Sequence, residues 1–455
     1  MITRKKIRYF SFFFLLIFTP FFVFLVPLDR TPYQKTNYYY NTINRLDSLE
    51  KSLLTIEGDT LKVGWGRSSL IPNFITPLAG YGSRKGAKYQ GIEDSIWTSV
   101  MVFDNGISKA AYISLDLLIV PSVLNIESIV DSLPIESSQI FFTASHSHSS
   151  IGGFLPGLAG KLFAGDYNPK VIPFISNSIR KALMNAIKNL EIARIGFTKI
   201  NAGEFITNRL VGDSLGISDP WIRVIKVEKK SGKKALLFTY SAHATCYGDN
   251  QLKISSDYPG KSISILEKLP DIDFAIYGAG SVGSMAPFTK SKYGKDRVDE
   301  MALGISNKII LHLDSISTFY EKKLTVSNLK IEMMNPSFKL NKFFAVRPWV
   351  FNWLIGDTKK KLSFLKLGNT LMVGTPCDFS GELAPPLDAI ASKKNINLII
   401  NSFNGGYVGY ITKDEWYDKT DINTYETYTM NWFGPNNGSY FSELIESIID
   451  INAKY

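Results

Sequence analysis

The segment Ile140-Phe-Phe-Thr143-Ala-Ser-His146-Ser-His148-Ser-Ser-Ile-Gly152-Gly153 joins a short apolar run to a polar turn that ends in two glycines. The run predicts a buried strand over 139–143, and the histidines follow where that strand ends. Two residues apart on an extended chain, both imidazoles point to the same side. This spacing suits one metal ligand beside a second imidazole that orients substrate or a bound water. The alternative is a pair of hydrogen-bonded polar residues at a strand end.

Histidine is scarce in this chain, which has four: His146, His148, His243 and His312. His243 comes just after the predicted strand 235–240, where a ligand can be held rigidly. Zinc favours imidazole nitrogen, and a catalytic zinc site uses about three protein ligands and keeps one position open. The first three histidines are therefore candidates for a metal site. His312 lies in an apolar helical run and is predicted to be structural.

Strand-like and helical runs fill the chain from residue 61 onward. Apolar residues recur at three- and four-residue spacing over 171–190 and 299–313, which predicts helices. Strands are predicted over 61–65, 97–103, 110–115, 139–143, 221–227, 235–240, 324–333, 362–367, 370–373 and 397–401. No internal repeat or low-complexity linker follows residue 60. The pattern predicts a single large α/β domain over 61–455.

The N-terminus predicts export. Arg4, Lys5, Lys6 and Arg8 precede an apolar run over 9–28. About twenty apolar residues can cross a bilayer as a helix, and flanking positive charge stays in the cytoplasm. We therefore predict a transmembrane signal anchor over 1–28, a single pass through the cell membrane and a domain on the periplasmic or extracytoplasmic side. A cleaved signal peptide is the alternative and exports the domain equally. Residues 29–60 are predicted to form a stalk or short helix.

Composition excludes several classes of protein. Hydrophobic residues make up 45% and charged residues 20% of the 455 residues, as in a folded globular protein. The net charge of +10 comes from scattered Lys and Arg without a recognition motif, so we expect no nucleic-acid partner. A basic surface facing anionic lipid explains the charge better. Two cysteines are too few for a disulfide scaffold, and no obligate protein partner is evident.

Motifs spread over 61–445 resemble, in order, those of the neutral/alkaline non-lysosomal ceramidase family. The most specific is Ser145-His146-Ser-His148-Ser149 with Gly152-Gly153, which is similar to the family's Thr-His-Thr-His-Ser-Gly-Pro-Gly-Gly signature. The other matching segments are Val63-Gly64-Trp-Gly66, Ala79-Gly80-Tyr81-Gly82, Gly91-Ile92, Ser114-Leu-Asp116-Leu117, Asn208-Arg209, Ala242-His243-Ala-Thr245, Ser255-Ser256-Asp257-Tyr-Pro-Gly260, Pro376-Cys377-Asp378-Phe379-Ser380, Tyr407-Val-Gly-Tyr410, Tyr425-Glu426 and Phe433-Gly434-Pro435.

The resemblance implies a layered αββα-type sandwich, without the C-terminal β-sandwich domain of the family's long members. It implies a Zn²⁺-dependent amidohydrolase that cleaves the N-acyl amide bond of a ceramide-like or other N-acyl lipid. Two alternatives stay open. One is an inactive relative that binds envelope lipid, and the other is a zinc hydrolase of a non-sphingolipid ester or amide.

The resemblance also implies a ligand set and catalytic groups. Zinc would be held by His148, His243, Asp378 and a tyrosine, either Tyr407 or Tyr410. Asp378 stands where the family has glutamate, with Glu382 as a fallback. His146 and the second tyrosine, with Tyr407 assigned to the metal and Tyr410 to catalysis, would stabilise the developing oxyanion.

The glycine-rich segment Gly278-Ala-Gly280-Ser281-Val-Gly283-Ser284 departs from the family's Gly-Asp-x-Ser-Pro. The family's serine position falls on Gly283. Ser284 or Ser281 could supply the catalytic hydroxyl if the turn is displaced. The alternative is a turn without chemistry.

Two further features yield hypotheses. Cys246 and Cys377 adjoin the second histidine motif and Asp378, so they could pair, join the metal or simply be buried. The segment 343–355 interleaves aromatic and basic residues, including Trp349 and Trp353, and suits either a membrane interface or a core.

Overall fold

The computed structural model describes residues 23–53, 57–356 and 358–454, and within them the chain folds into a mixed α/β structure with several sheets, as predicted. The strands are β1 Leu25–Pro27, β2 Lys62–Ser69, β3 Gly91–Ile92, β4 Trp97–Asp104, β5 Lys109–Leu115, β6 Ile140–Ala144, β7 Glu191–Asn201, β8 Ile206–Asn208, β9 Trp221–Lys229, β10 Lys234–Tyr240, β11 Lys253–Ile254, β12 Phe274–Ala279, β13 Met285–Pro287, β14 Phe319–Tyr320, β15 Leu324–Lys330, β16 Phe344–Val346, β17 Lys361–Leu367, β18 Thr370–Gly374, β19 Asp378–Phe379, β20 Asn397–Asn401 and β21 Tyr410–Ile411. The helices are α1 Asn37–Ser52, α2 Ile126–Val130, α3 Gly157–Ala164, α4 Val171–Lys188, α5 Asp257–Leu266, α6 Gly294–Ile310, α7 Pro348–Ile355, α8 Ala384–Lys393 and α9 Asn437–Ala453.

The larger sheet runs in the order β12-β10-β9-β7-β2-β4-β5-β6, with β14 paired to β7. Neighbours are antiparallel except for β5–β6 and β10–β12, which are parallel. Strands β4, β5, β6 and β12 are buried along nearly their whole length because both faces of the sheet are covered there. Along β4, Val100 and Val102 pack into one core cluster, while Met101 and Phe103 pack into another. Full burial of side chains of this size contributes about 1.5–3 kcal/mol each.

The smaller sheet runs in the order β15-β17-β18-β20 and packs face to face on the larger one. Three core clusters follow from this arrangement. The first lies between the larger sheet and helices α4, α5 and α6, the second lies between the two sheets, and the third lies between the smaller sheet and helices α1, α8 and α9. Because successive side chains point to opposite faces of a strand, a buried strand contributes residues to two core clusters.

The N-terminal prediction is only partly within the described residues. Residues 1–22, most of the predicted anchor, lie outside them. The end of the predicted span is a strand instead, because β1 pairs antiparallel with β16, with Leu25 opposite Val346 and Pro27 opposite Phe344. Among the helices that the structure describes, none is long and apolar enough to cross a membrane.

Residues 33–53, within the segment predicted as a stalk or short helix, lie on the domain itself. Helix α1 begins after Thr36, whose hydroxyl caps it by accepting a hydrogen bond from the Tyr39 N–H. Leu46 and Leu53 are buried in the core cluster of the smaller sheet. The Tyr33 hydroxyl donates to Glu443 of helix α9 at 2.6 Å. The helical spacing was therefore informative, and the helix contributes to the core.

Candidate metal centre

His146 follows β6 and is held in an unusual backbone conformation. Its φ is +60°, in the left-handed region that non-glycine residues seldom adopt. The side chain is 3% exposed, and the Phe403 ring stacks on it at 4.2 Å between centroids. Its Nδ1–H donates to the Leu118 carbonyl at 2.6 Å. This bond fixes the ring and leaves Nε2 with a lone pair that faces the interior.

His243 is oriented in the same way from a different segment. It follows β10, is fully buried, and donates from Nδ1 to the Met285 carbonyl at 2.9 Å. Its Nε2 lies 3.1 Å from the Tyr410 hydroxyl. Two imidazoles are thus presented with the same nitrogen outward, each fixed by a backbone carbonyl, which is the usual way that metal-binding histidines are oriented.

Asp378 provides the carboxylate. It comes four residues after β18 and opens β19, whose parallel pairing with β21 sets Asp378 beside Tyr410. Its Oδ2 accepts a hydrogen bond from the Tyr407 hydroxyl at 2.7 Å. Its Oδ1 lies 3.3 Å from His243 Nε2 and 3.5 Å from His146 Nε2, and it is buried without a hydrogen-bond partner. A buried, unsatisfied carboxylate oxygen is costly unless something else binds it.

These atoms fit a metal ion. Ligand atoms held at about 2.0–2.1 Å around a tetrahedral zinc lie roughly 3.3 Å apart, which matches the spacing from Asp378 Oδ1 to the two imidazole nitrogens. The ligating atoms of His146, His148 and His243 all lie within 4.8 Å of one another. Burial lowers the pKa of His146 to about 3 and that of His243 well below its ordinary value. Neutral imidazoles are the form that binds a metal.

His148 differs from the other two histidines. It is partly exposed and lines the pocket. Its Nε2 lies 3.1 Å from His146 Nε2, and its Nδ1 is buried without a partner. The backbone beneath it is fixed, because Arg84 donates to the His148 carbonyl. Gly80 also packs so closely that a Cβ there would lie 2.7 Å from His148 Cα.

Tyr407 and Tyr410, which the sequence could not separate, have different surroundings. Tyr407 contacts Asp378 Oδ2, as described above, and its ring lies edge-on to Trp432 at 5.6 Å. Tyr410 accepts a hydrogen bond from Arg209 Nη2 at 2.9 Å and faces His243. Burial raises the pKa of both phenols well above the ordinary value, so both are protonated.

A buried polar chain behind the histidines contains two residues to which the sequence analysis gave no role. Arg209 donates from Nε to Glu426 Oε1 at 2.8 Å and from Nη2 to His243 Nε2 at 3.0 Å. The Ser284 hydroxyl donates to Glu426 Oε2 at 2.8 Å and receives a bond from Ser380. Arg209 and Glu426 both lie in motifs that resemble the family, and a charged residue inside such a motif was the available signal. A metal on His243 Nε2 would replace the Arg209 bond to that atom.

The glycine-rich segment serves mainly to bring two loops together. Gly283 donates its N–H to the Phe379 carbonyl, and a Cβ at Gly283 would lie 2.5 Å from the Asp378 carbonyl. A serine therefore does not fit at this position with this backbone. Ser284 instead adopts a φ of +65° and places its hydroxyl in the polar chain, while the Ser281 hydroxyl is buried without a partner. Neither serine lines the pocket.

Four other candidate residues are not part of the cluster formed by His146, His243 and Asp378. Glu382 is buried against Trp416, whose indole donates to it at 2.9 Å. Cys246 and Cys377 are free thiols buried in different core clusters, so no disulfide forms between them. His312 is exposed and bonds the Lys308 carbonyl at the end of helix α6.

A pocket opens above the buried cluster, with an empty volume of about 840 Å³ including its mouth. Four of its lining residues, His146, His148, Tyr407 and Tyr410, adjoin the buried His243 and Asp378, and we call these six residues the pocket floor. Its walls are mostly apolar and comprise Leu118, Ile119, Leu155, Pro156, Ala159, Phe163, Ile355, Met430 and Trp432, with Ser122, Thr358 and Tyr425 adding hydroxyl groups. A mostly apolar pocket with a few polar groups at its inner end suits a ligand with a long hydrocarbon chain and one polar reacting centre.

No family model and no curated protein matches the chain. Among solved structures, the neutral ceramidase from Pseudomonas aeruginosa is similar, with a TM-score of 0.70 and 16% identity over 87% of this chain and 75% of that chain. A structure described as a ceramidase complexed with C2 gives a TM-score of 0.73 and 15% identity over the same shares. The resemblance predicted from the motifs is therefore confirmed in three dimensions, and the chain has a neutral-ceramidase-like fold.

Proposed function

We propose that this protein is a zinc-dependent hydrolase that cleaves the N-acyl amide bond of a ceramide-like lipid. The observation that carries the proposal is the unpartnered Asp378 Oδ1, set between the Nε2 atoms of His146 and His243 at the end of an apolar pocket. The names of the two similar solved structures support the reaction class. Export of the domain, inferred from residues 1–28, belongs to the same proposal.

The proposed ligands are His146, His243 and Asp378. This assignment exchanges the roles that the motif resemblance gave to His146 and His148. Support comes from the two carbonyl-anchored imidazoles that face the carboxylate, whereas the Nδ1 of His148 has no such hydrogen bond. Two imidazole nitrogens and a carboxylate oxygen form a donor set suited to a catalytic zinc, which keeps a further position open.

When bound, zinc would activate water and polarise the amide carbonyl. The residues around it complete the reaction. His148 is neutral, because burial and the neighbouring imidazoles lower its pKa well below the ordinary value. It is placed to accept the proton that the attacking water loses and to return it to the leaving amine, so that the protons balance.

Tyr410 and Arg209 stabilise the negative charge that develops on the carbonyl oxygen. The protonated phenol of Tyr410 is a hydrogen-bond donor at the pocket floor, and the Arg209 guanidinium polarises it by donating to the same oxygen. Glu426 fixes Arg209, and Ser284 fixes Glu426. Ser284 is therefore a positioning residue, although a serine at the reacting carbonyl was one expectation from the sequence.

The proposal is tested by the metal content of the full-length protein, purified in detergent and saturated with zinc, together with its hydrolysis of an N-acyl sphingoid base. His146→Ala and His243→Ala are expected to lose the metal and the activity together. His148→Ala is expected to keep the metal and lose most of the activity. His312→Ala, at an exposed histidine outside the site, is the matched control and should behave as the parent.

Three results would contradict the proposal. Retention of zinc by His146→Ala, with loss from His148→Ala, would restore the assignment expected from the motifs. A parent protein without zinc or hydrolytic activity would favour the inactive, lipid-binding relative, and cleavage of esters alone would favour the other alternative.

A further inference from the structure

The mouth of the pocket carries apolar side chains that the proposed chemistry does not use. Helices α3 and α7 contact each other there, and each contributes pocket-lining residues, among them Phe163 and Ile355. Their outer positions are large and exposed: Leu158 is 55%, Leu162 64%, Trp349 50% and Trp353 70% exposed. We call these four residues the apolar rim.

The sequence shapes α7 as a short, unusually apolar helix. It starts with Pro348 at its first position, where a missing N–H costs nothing, and stops at Gly356, which adopts a φ of +84°. Only Phe351 of its eight residues is buried. A helix with apolar residues exposed to this extent is stable in water only at a cost, so its outward face indicates a contact surface.

The N-terminal chain enters the described structure at this surface. The Trp349 indole donates to the Val23 carbonyl at 3.3 Å, and its ring lies 5.5 Å from the Phe24 ring. Val23 and Phe24 are themselves 44% and 45% exposed. The residues that precede them are the apolar run from Tyr9 and its basic flank. A segment with the composition of a membrane anchor therefore leads directly into the rim.

A basic and an aromatic side chain also precede β16, at the other end of the β1–β16 pair from Val23 and Trp349. Lys342 is exposed, with its ammonium group 5.0 Å from the centre of the Phe343 ring. Phe343 is 62% exposed. Tryptophan and phenylalanine beside lysine are typical of the boundary between lipid headgroups and acyl chains, and lysine favours anionic lipid.

We propose that the apolar rim docks on the surface of a lipid bilayer and presents the pocket mouth to it, so that a lipid enters between α3 and α7 without crossing water. The identity of the lipid as substrate rests on the proposed function, whereas docking does not. The occupant is a bilayer because the N-terminal segment and the rim converge, and because the pocket behind the rim is mostly apolar.

Docking is tested without any enzymatic readout. Both native cysteines are buried, so a cysteine introduced by Leu162→Cys or Trp353→Cys is an accessible thiol for a fluorescent label. Leu311→Cys is the matched control, because Leu311 is 80% exposed just after helix α6. The full-length protein is reconstituted in vesicles of phosphatidylcholine and phosphatidylglycerol that carry nitroxide-labelled acyl chains, which quench only fluorophores at bilayer depth.

We expect loss of most of the fluorescence at positions 162 and 353 and little loss at 311, with the reverse order for quenching by aqueous iodide. Equal accessibility of all three labels to iodide, without quenching by lipid, would overturn the proposal. Labels at 162 and 353 that are shielded from both quenchers would also overturn it and would indicate a second copy or another protein on the rim.

A hydrolysis arm separates this proposal from the proposed function. Trp349→Ser with Trp353→Ser should lower hydrolysis of a bilayer-embedded N-acyl lipid by about tenfold, from the apolar area lost. Hydrolysis of a water-soluble short-chain amide should not change. If no substrate is cleaved but labels 162 and 353 are quenched by lipid, docking stands and the catalytic proposal fails. If bilayer lipid is cleaved while lipid quenching is absent, docking fails and the catalytic proposal stands.

Discussion

The pocket floor and the apolar rim belong to one cavity and are built by opposite means. On the floor, side chains from four distant segments are buried or partly buried, and most of their polar atoms have fixed partners. On the rim, large side chains from two short helices stand in solvent. The floor depends on atomic position, whereas the rim depends on apolar area. Changes at the proposed metal ligands of the floor should therefore abolish function, whereas changes on the rim should reduce it by degrees.

The most severe test of the floor is Asp378→Asn. The amide keeps the size of the side chain and its contact with Tyr407 but removes the charge that faces two imidazoles. Metal catalysis supplies several kcal/mol of transition-state stabilisation. We therefore expect loss of zinc and a fall in kcat/KM of at least about a thousandfold, measured by metal analysis and amide hydrolysis.

Asp271→Asn is the control for this change, since Asp271 is a solvent-exposed aspartate far from the pocket lining. Unchanged zinc content in Asp378→Asn would show that the carboxylate is not a ligand. The floor would then be a hydrogen-bonded cluster of the kind that the sequence also permitted.

Breaking the polar chain behind the floor should lower the free energy of unfolding. Glu426→Gln leaves the Arg209 guanidinium, which is 24% exposed, without its buried carboxylate partner. Breaking a buried ion pair costs about 3 kcal/mol at the lower end of the usual range. We expect the free energy of unfolding, measured by urea denaturation, to fall by about that amount.

Glu93→Gln removes a more exposed partner, the pair with Lys253, and should cost about 1 kcal/mol or less. Equal effects of the two variants would mean that the Arg209–Glu426 pair is solvated and does not organise the floor.

The two tyrosines of the floor provide a finer test. Tyr410→Phe removes the phenol between His243 and Arg209 and should lower kcat by about a hundredfold, as the loss of one oxyanion donor does. Tyr407→Phe loosens Asp378 and should cost about tenfold through weaker zinc binding. Excess zinc should therefore restore Tyr407→Phe but not Tyr410→Phe. If excess zinc restores both variants, or Tyr410→Phe alone, Tyr410 is a metal ligand and not an oxyanion donor.

Regular structure was largely predictable from the sequence because burial on both faces leaves a simple mark. The strand predicted over 97–103 is observed as Trp97–Asp104, and the helix predicted over 171–190 is observed as Val171–Lys188. In both segments the apolar residues recur at the period of the element and pack against neighbouring elements. The prediction for the end of the anchor was wrong because its local pattern does not identify its neighbour. Leu25–Pro27 is apolar, but its pairing partner lies more than 300 residues away, and no local pattern reveals it.

The floor was predictable as a set of residues but not as a set of roles. Spacing predicts that His146 and His148 share a side only if the chain between them is extended. The φ of +60° at His146 and its bond to the Leu118 carbonyl are set by tertiary contacts instead. His146, Ser284 and Phe403 all have a positive φ and lie around the floor. Backbone strain of this kind concentrates at functional sites. The pairing of Arg209 with Glu426 spans 217 residues and is equally invisible to spacing.

The smallest expected effect comes from a single change on the rim. Leu162 is 64% exposed, so Leu162→Ser should not disturb the fold. Partial burial of a leucine side chain in a bilayer is worth about 1 kcal/mol, which corresponds to roughly a fivefold change in an equilibrium. The apparent KM for a bilayer-embedded lipid should rise by about that factor. The kcat should stay constant, and so should hydrolysis of a soluble short-chain amide, because the floor is untouched. Leu311→Ser, at a leucine outside the rim that is 80% exposed, should change neither quantity. A fall in kcat with the soluble amide would show that helix α3 positions the floor itself, and the separation between floor and rim would then not hold.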